Sequence, residues 1–458
     1  MGDDVIILGA GVAGLAAARR LTERGRSVTL IEARDRVGGR LLTVRPAGVA
    51  LPIELGATFV HGRAPQMMEL VRAAGVTLYE LTGEALMRVN GRRLDVGELK
   101  EVDEAEDDGG EEDDEDYDEE GDPILSAIAR WRGPDLTLDD FIATQGSGPE
   151  WEAAIPRTRG YVAGYDAADP ATVSVRWLAQ TERASAAIDG ERQFFPLEGY
   201  DRLAAWLLGA CDPARLTLRL NTVARRVTWE PGRATVHLTT PGGVPLAAIS
   251  AARVIVTLPI GVLAAPVGEQ SALQLDPLPD ALAGALTGVA MGHAAKVTLR
   301  LRERFWDIDA SSRAYHPALS FLFSNHPSVP TWWTNYPLLV PLLSGWTGGP
   351  AAQRLGAGAD GEIIAAATGA LADIMGFSQD EMMALVEEGY VHNWSRDPYA
   401  RGAYSYVTVG GLEKLAAIAR PIADTLYFAG EGTDTEGNTG TVHGALATGE
   451  RAARQITG

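Results

Sequence analysis

The sequence predicts an α/β protein in which a parallel-sheet domain is interleaved with a second, α+β domain. Three observations lead there. The first forty residues read as strand, glycine turn, helix and strand; strand-like alternation returns in two later stretches; and the text between those stretches is rich in helix formers. At 458 residues the chain exceeds what one hydrophobic core usually serves. Residues 1–84, 195–285 and 395–458 are assigned to the parallel-sheet domain, and residues 85–194 and 286–394 to the other.

Val5 to Leu8 is a short apolar run of the kind a buried strand requires, and Ala13 to Arg24 has helical composition closed by Gly25. Val28 to Ile31 resumes as a strand, so the unit is a βαβ element, whose crossover makes the strands parallel. Gln66 to Ala74 reads as a helix, and 123–193 is helix-like with Pro and Gly interruptions. Alternation returns between Leu216 and Val256 (LTLRLN, ATVHLTT, RVIVTL) and again from Lys296 to Leu301. Glu362 to Ile374 is helical, and Leu426 to Ala429 is a last strand leading through a glycine-rich turn into a helix, Gly444 to Ile456. No internal repeat is present.

Composition removes several function classes. No apolar run approaches the roughly 20 residues that span a bilayer. The start, Met1-Gly2-Asp3-Asp4, lacks a basic region and a cleavage site, so a cytoplasmic location is expected. Cys211 is the single cysteine, which excludes an intramolecular disulfide and a thiolate cluster. No histidine pair has metal-ligand spacing, and no metal is expected. Residues 101–122 hold sixteen acidic side chains and no basic one, so the rest of the chain carries only −5 of the net −21. Such a block repels itself and reads as a disordered, solvated insertion; it also argues against a nucleic-acid partner.

Gly9-Ala10-Gly11-Val12-Ala13-Gly14 follows the first strand and opens the helix. Gly9 permits the turn, Gly11 lets backbone approach a pyrophosphate, and Gly14 lets helix and strand pack closely, in the Rossmann manner. Glu32, at the end of the second strand, is placed to accept hydrogen bonds from a ribose diol. Beyond it Arg34, Arg36, Gly38, Gly39 and Arg40 add a second glycine pair and three cations, suited to another close approach to a pyrophosphate.

These motifs stand in series with Asp35 to Arg40 (DRVGGR), Glu54 to Gly62 (ELGATFVHG), Val254 to Leu263 (VIVTLPIGVL), Lys296-Val297, Trp394 to Tyr404 (WSRDPYARGAY) and Tyr427 to Gly449 (YFAGEGTDTEGNTGTVHGALATG). The set, and its order, resembles the flavin-containing amine oxidases: monoamine, polyamine and L-amino acid oxidases and the lysine-specific histone demethylase. The resemblance runs the length of the chain and implies a Rossmann-type FAD-binding domain with an interleaved α+β substrate domain. It points to Arg40 at the FAD pyrophosphate, Glu431 in the ribityl or phosphate region and Val223 at the adenine. It also implies FAD contacts at Gly56, Ala57, Trp394, Gly430, Thr441 and Val442. Lys296 matches the lysine that holds a water beside flavin N5 and assists reaction with oxygen. Trp394 and Tyr404 match aromatic positions that wall the amine site. Aromatic faces attract a cationic amine and house it once neutral. Thr441 stands where monoamine oxidases carry a second tyrosine. Ala403 stands where they carry the cysteine that bonds to flavin, so non-covalent FAD is implied. His61, in GATFVHG, and the run Thr441-Val442-His443-Gly444-Ala445 look most like the polyamine oxidase branch, where a histidine contacts the substrate nitrogen.

The implied reaction takes a hydride from the carbon beside a neutral amine nitrogen to flavin N5; the resulting imine hydrolyses to an aldehyde, and oxygen leaves as hydrogen peroxide. The partners are thus a small-molecule amine and oxygen, with no nucleic acid and no membrane; the sequence leaves the oligomeric state open. Three rivals stand beside this reading. An L-amino acid oxidase needs an arginine for the substrate carboxylate, with Arg176 and Arg300 as candidates. A desaturase or porphyrinogen oxidase on the same fold needs a broader apolar cavity. A non-catalytic flavoprotein scaffold is the third.

Overall fold

Val5–Leu8 is the middle strand of a five-stranded parallel sheet whose order is Leu216–Arg219, Val28–Ile31, Val5–Leu8, Arg253–Val256 and Leu426–Phe428. The computed structural model describes residues 4–89, 92–94, 122–308 and 315–458. The acidic run expected to be disordered lies outside the described residues except for Asp122. That residue caps helix Pro123–Ala129, accepting from the N–H groups of Ile124 and Leu125.

The central strand is apolar throughout because both of its faces are covered. Val5 and Ile7 enter one core with helices Val12–Glu23 and Val442–Thr457, while Ile6 and Leu8 enter another with Val175, Leu178 and Val227. The two flanking helices approach so closely that a Cβ on Gly449 would lie 2.1 Å from the Ala13 carbonyl oxygen. A four-stranded sheet, Pro245–Ala251, Arg233–Thr239, Val223–Glu230 and Gln274–Asp276, adds to the second face.

The other large element is a seven-stranded mixed sheet, ordered Val386–Val391, Ala294–Leu301, Leu342–Gly348, Thr331–Trp333, Leu319–Ser324, Glu84–Val89 and Arg92–Leu94. Val297, Leu299 and Leu301 face helix Asp360–Met375 in its core. Strand alternation therefore turns Lys296 and Thr298 to the opposite face, and both are buried there. Helices Pro123–Ala129, Leu138–Gln145, Pro149–Tyr165 and Val175–Ala186 group around Trp177 and Phe141. A small sheet of Val60–His61, Gln193–Pro196 and Leu78–Glu80 ties the regions together. The α/β class holds, with the parallel sheet drawing its strands from widely separated stretches of chain. Among the described residues no helix is long and apolar enough to cross a membrane.

Candidate active site

At the carboxyl end of the parallel sheet the chain makes a cradle out of backbone. Gly9 has φ +102°, and a Cβ there would lie 2.7 Å from Thr257 Oγ1. A Cβ on Gly14 would sit 1.9 Å from the Gly9 carbonyl oxygen. Gly11 differs: its nearest neighbour on that side is Gly39 Cα at 3.9 Å, so its free side is open. Gly11 precedes helix Val12–Glu23 without a side-chain cap, leaving the first N–H groups and the positive end of the helix for a ligand. Gly38 bridges Gly11, and both Gly38 and Gly39 have positive φ. Arg36 fixes that turn by donating to the carbonyls of Leu41 and Gly39, each at 2.9 Å. An open-sided glycine between two backbone turns fits a dinucleotide pyrophosphate.

Glu32 is buried, and its carboxylate accepts from Ala10 N at 2.8 Å and Arg34 N at 2.9 Å, which aims it at the mouth of the cradle. Arg34 turns to Asp397, 2.7 Å away, and lies over the Tyr399 ring. Despite its burial, the His392 ring, the Arg34 guanidinium and the Tyr399 N–H hold the Asp397 carboxyl below its ordinary value. Val223 is buried at the head of its strand, one residue after Thr222, whose N–H donates to the Glu32 carbonyl.

Arg40, expected at the pyrophosphate, and Glu431, expected in the ribityl or phosphate region, meet here: Arg40 Nη1 lies 2.7 Å from Glu431 Oε1 and 2.8 Å from the Ala403 carbonyl oxygen. The other Glu431 oxygen accepts from Ser405 N, Ser405 Oγ and Gly440 N. One carboxylate thus knots four segments. Gly430, with φ +122°, makes the turn into it. Gly56 and Ala57 lie against the Arg40 carbonyl: Ala57 N donates to it, and a Cβ on Gly56 would lie 1.8 Å from it.

Lys296 reaches this turn from the second sheet. Its Nζ donates to the Gly56 carbonyl and to Thr58 Oγ1. Burial pushes the ammonium well below the ordinary lysine value, opposed by the charge of Glu54. Glu54 is buried too, and burial pushes its carboxyl up against the pull of Tyr200 N, Thr43 Oγ1 and Lys296. Beside the pair lies a cavity of ≈ 30 Å³ lined by Glu54, Thr58, Tyr79, Thr298, Trp333 and Asn335, roomy enough for a water.

The aromatic wall forms around Tyr404. Its ring lies parallel to Trp346 at 6.5 Å, its hydroxyl donates to the Tyr165 carbonyl at 2.6 Å, and its edge meets Gly440. Trp346 is the register partner of Lys296 in the next strand. His61 stands edge-on to Tyr165 at 5.6 Å and to Phe59 at 5.8 Å. Burial, with the ring of His443 nearby, lowers His61 to about 4, so it is neutral at physiological pH. Trp394 sits apart from this ring stack: it is 7% exposed, packs against His392 at 4.2 Å and gives its indole N–H to the Leu55 carbonyl. Thr441 Oγ1 caps the last helix by accepting from Gly444 N at 2.9 Å, so its hydroxyl is spent where the resemblance compares it with a tyrosine. Val442 is the first residue of that helix.

Neither arginine weighed for a substrate carboxylate reaches the site. Arg176 faces Glu413 at 3.6 Å, and Arg300 pairs with Glu387 at 2.9 Å. Among the described residues no group of three potential metal ligands occurs. The sequence reading passed over Glu54, Asp397, Trp346 and Tyr165. A signal existed for the first two, each an acid inside a quoted motif; Trp346 and Tyr165 carried none, since only the tertiary fold brings them to Tyr404.

The sequence profile of the flavin containing amine oxidoreductases matches residues 12–457. Polyamine oxidase 1 of Oryza sativa subsp. japonica is 28% identical over 99% of this chain and 96% of its own length. Putrescine oxidase with bound putrescine superposes with a TM-score of 0.72 at 22% identity, covering 100% of this chain and 99% of that one. Cyclohexylamine oxidase from Brevibacterium oxydans IH-35A gives a TM-score of 0.75 at 21% identity.

Proposed function

We propose a reaction and a substrate for a chain that belongs to the flavin-containing amine oxidoreductases: oxidation of a polyamine or related amine at the carbon beside its nitrogen, for which FAD, held without a covalent bond, would supply the hydride-accepting chemistry. One observation carries this reading. Tyr404 stacks on Trp346, the strand neighbour of Lys296, and its edge meets Gly440, whose N–H donates to the Glu431 carboxylate that Arg40 bridges just before the last helix. The polyamine oxidase relative and the neutral His61 beside the wall support the substrate class.

In this reading residues 1–84, 195–285 and 395–458 hold the cofactor, and 85–194 and 286–394 shape the substrate side. Gly9, Gly11, Gly14, Gly38 and Gly39 admit the pyrophosphate, Glu32 and Val223 take the adenosine end, and Glu431 and Arg40 order the middle. Tyr404 and Trp346 orient the amine and offer it an aromatic, apolar surface. A neutral amine is needed because its lone pair stabilises the iminium as hydride leaves; apolar walls and an uncharged His61 favour that form. Lys296 and Thr58 hold a water for the reaction of oxygen to hydrogen peroxide. The buried single cysteine suits a cytoplasmic setting.

Purified protein loaded with FAD is assayed for peroxide with spermine, spermidine, N-acetylated polyamines, tyramine and L-amino acids. The expected result is peroxide from one of the polyamines and none from amino acids, whose carboxylate meets neither Arg176 nor Arg300. Turnover of amino acids alone overturns the substrate class, and a flavin that no amine bleaches without oxygen overturns amine oxidation itself.

A further inference from the structure

Close to Lys296 stands a buried carboxyl, Glu54, that neither the glycine cradle nor the aromatic wall uses. It ends the short strand Ile53–Glu54 and is 8% exposed. Its hydrogen-bond partners are neutral: Oε1 accepts from Tyr200 N at 2.8 Å, and Thr43 Oγ1 lies 2.8 Å from Oε2 and 3.1 Å from Oε1. One hydroxyl proton serves both contacts at Thr43, so Oε2 keeps room for a proton of its own. The charged groups that act on Glu54 are Lys296, from the seven-stranded sheet, and Asp201, at the start of helix Asp201–Gly209. Asp201 is itself paired with Arg45 at 2.8 Å, and Tyr79 feels the charge of Glu54 from the strand Leu78–Glu80.

The cavity of ≈ 30 Å³ joins these groups. Thr58, whose Oγ1 accepts from Lys296 Nζ, lines it together with Glu54 and Thr298. Glu54 and Thr298 are buried, whereas Leu51 and Leu197, which also line it, are partly exposed, so the cavity communicates between interior and surface. A water in it has the oxygens of Thr58, Glu54 and Thr298 on its walls, as many polar partners as an internal water needs. The polar sequence is then Lys296 Nζ, Thr58 Oγ1, water and the Glu54 carboxyl.

Bound FAD, once reduced, would supply oxygen with two electrons and one proton; hydrogen peroxide needs one proton more. We propose that Glu54 is the internal source of that proton, passing it through the cavity water and the Thr58 hydroxyl to Lys296 Nζ, and that solvent entering the same cavity restores it. Lys296 Nζ gives up a proton toward oxygen and takes one from Thr58, Thr58 takes one from the water, the water one from Glu54, and Glu54 one from solvent. Every N–H or O–H bond broken is remade, so the residues end as they began and one solvent proton is consumed. Burial lowers the Lys296 ammonium and raises the Glu54 carboxyl, which brings the two toward each other and makes the transfer an even exchange. The relay rests on the amine-oxidase reading and deepens it.

FAD-loaded protein is reduced with dithionite, so that no amine is needed, and mixed with oxygenated buffer. Glu54→Gln and Thr58→Val are each expected to slow flavin reoxidation about threefold and to raise its solvent deuterium isotope effect about twofold, whereas Thr58→Ser, which keeps the hydroxyl, follows wild type. The double variant Glu54→Gln/Thr58→Val is expected to be no slower than either single one, because both break one chain. A second readout needs no turnover: the infrared difference between wild type and Glu54→Gln holds the C=O band of a protonated carboxyl, which shifts at once in deuterium oxide. Unchanged rates and isotope effects, additive losses in the double variant, or a band that deuterium does not reach each overturn the relay. Thr58→Ser as slow as Thr58→Val marks Thr58 as structural and overturns it too. If these signatures appear in a protein whose flavin no amine bleaches, the relay stands and the amine-oxidase reading falls. Amine bleaching with reoxidation unchanged in the variants spares that reading and removes the relay.

Discussion

The glycine cradle and the aromatic wall are built from different materials. The cradle is backbone: Gly9 and Gly14 share the first turn, Gly38 belongs to a second turn that bridges back to Gly11, and the groups that would meet a ligand are N–H donors at a helix start. The wall is side chain: Tyr404, Trp346, His61, Tyr165 and Lys296 come from five separate stretches and meet only because two sheets and a helix group abut. A backbone site has little freedom to change without damage to the fold, whereas a side-chain site can be altered one group at a time. The contrast makes distinct predictions.

The largest effect belongs to the cradle. Gly14→Ala drives a methyl into the Gly9 carbonyl and is expected to cost about 3 kcal/mol in stability and to prevent FAD uptake, measured by denaturant unfolding and by absorbance of the purified protein. Gly11→Ala meets nothing of the chain closer than 3.9 Å. It should hold stability within about 1 kcal/mol while weakening FAD binding about tenfold or more. Equal behaviour of the two variants breaks the claim that one glycine serves the fold and the other the ligand.

At the wall the fold should survive. Lys296→Met is expected to keep its FAD and its melting temperature within a few degrees, yet slow flavin reoxidation by about tenfold or more in stopped flow. Unchanged kinetics would remove Lys296 from the chemistry. Glu54→Gln sharpens the same point by a smaller step. Loss of the carboxylate removes the charge that favours the Lys296 ammonium, so the pH at which reoxidation titrates should move down by about one unit. A profile that stays in place means the two groups titrate independently.

The same difference of material explains what the sequence could tell. The strands Val5–Leu8, Val28–Ile31 and Leu426–Phe428, and the helices Val12–Glu23 and Asp360–Met375, follow apolar periodicity and glycine punctuation that act over a few residues, and their observed ends depart from expectation by only one or two positions. Lys296 was legible as a strand residue opposite Val297, but its burial was not, because the Thr58 turn that meets it lies more than two hundred residues earlier. Trp394 illustrates the converse. It read as part of the wall, while its indole N–H is tied to Leu55 and its ring to His392, on the flank where Asp397 joins Arg34. Which aromatic faces a cavity depends on packing between segments, and packing leaves no local mark in the text.

The smallest predicted effect separates the two regions by their response to acid. At the wall, burial and the neighbouring His443 lower His61 to about 4, against about 6.5 in an unfolded chain. Between those values the unfolded state binds more protons, so this part of the stability is complete above pH 6.5, declines as pH falls and is gone below about 4. At the cradle, Asp397 has its carboxyl held below the ordinary value, so its contribution persists through that window and is lost only at lower pH, as the folded carboxylate takes a proton. His61→Gln should therefore flatten the decline of melting temperature between pH 6.5 and 4, by on the order of 1 kcal/mol at the acid end, and leave the curve above pH 7 parallel to wild type. Asp397→Asn should lower stability at neutral pH and converge with wild type only below pH of roughly 4. Identical acid profiles for the two variants would mean that the regions titrate as one unit, and the division between a backbone site and a side-chain site would then lack an energetic counterpart.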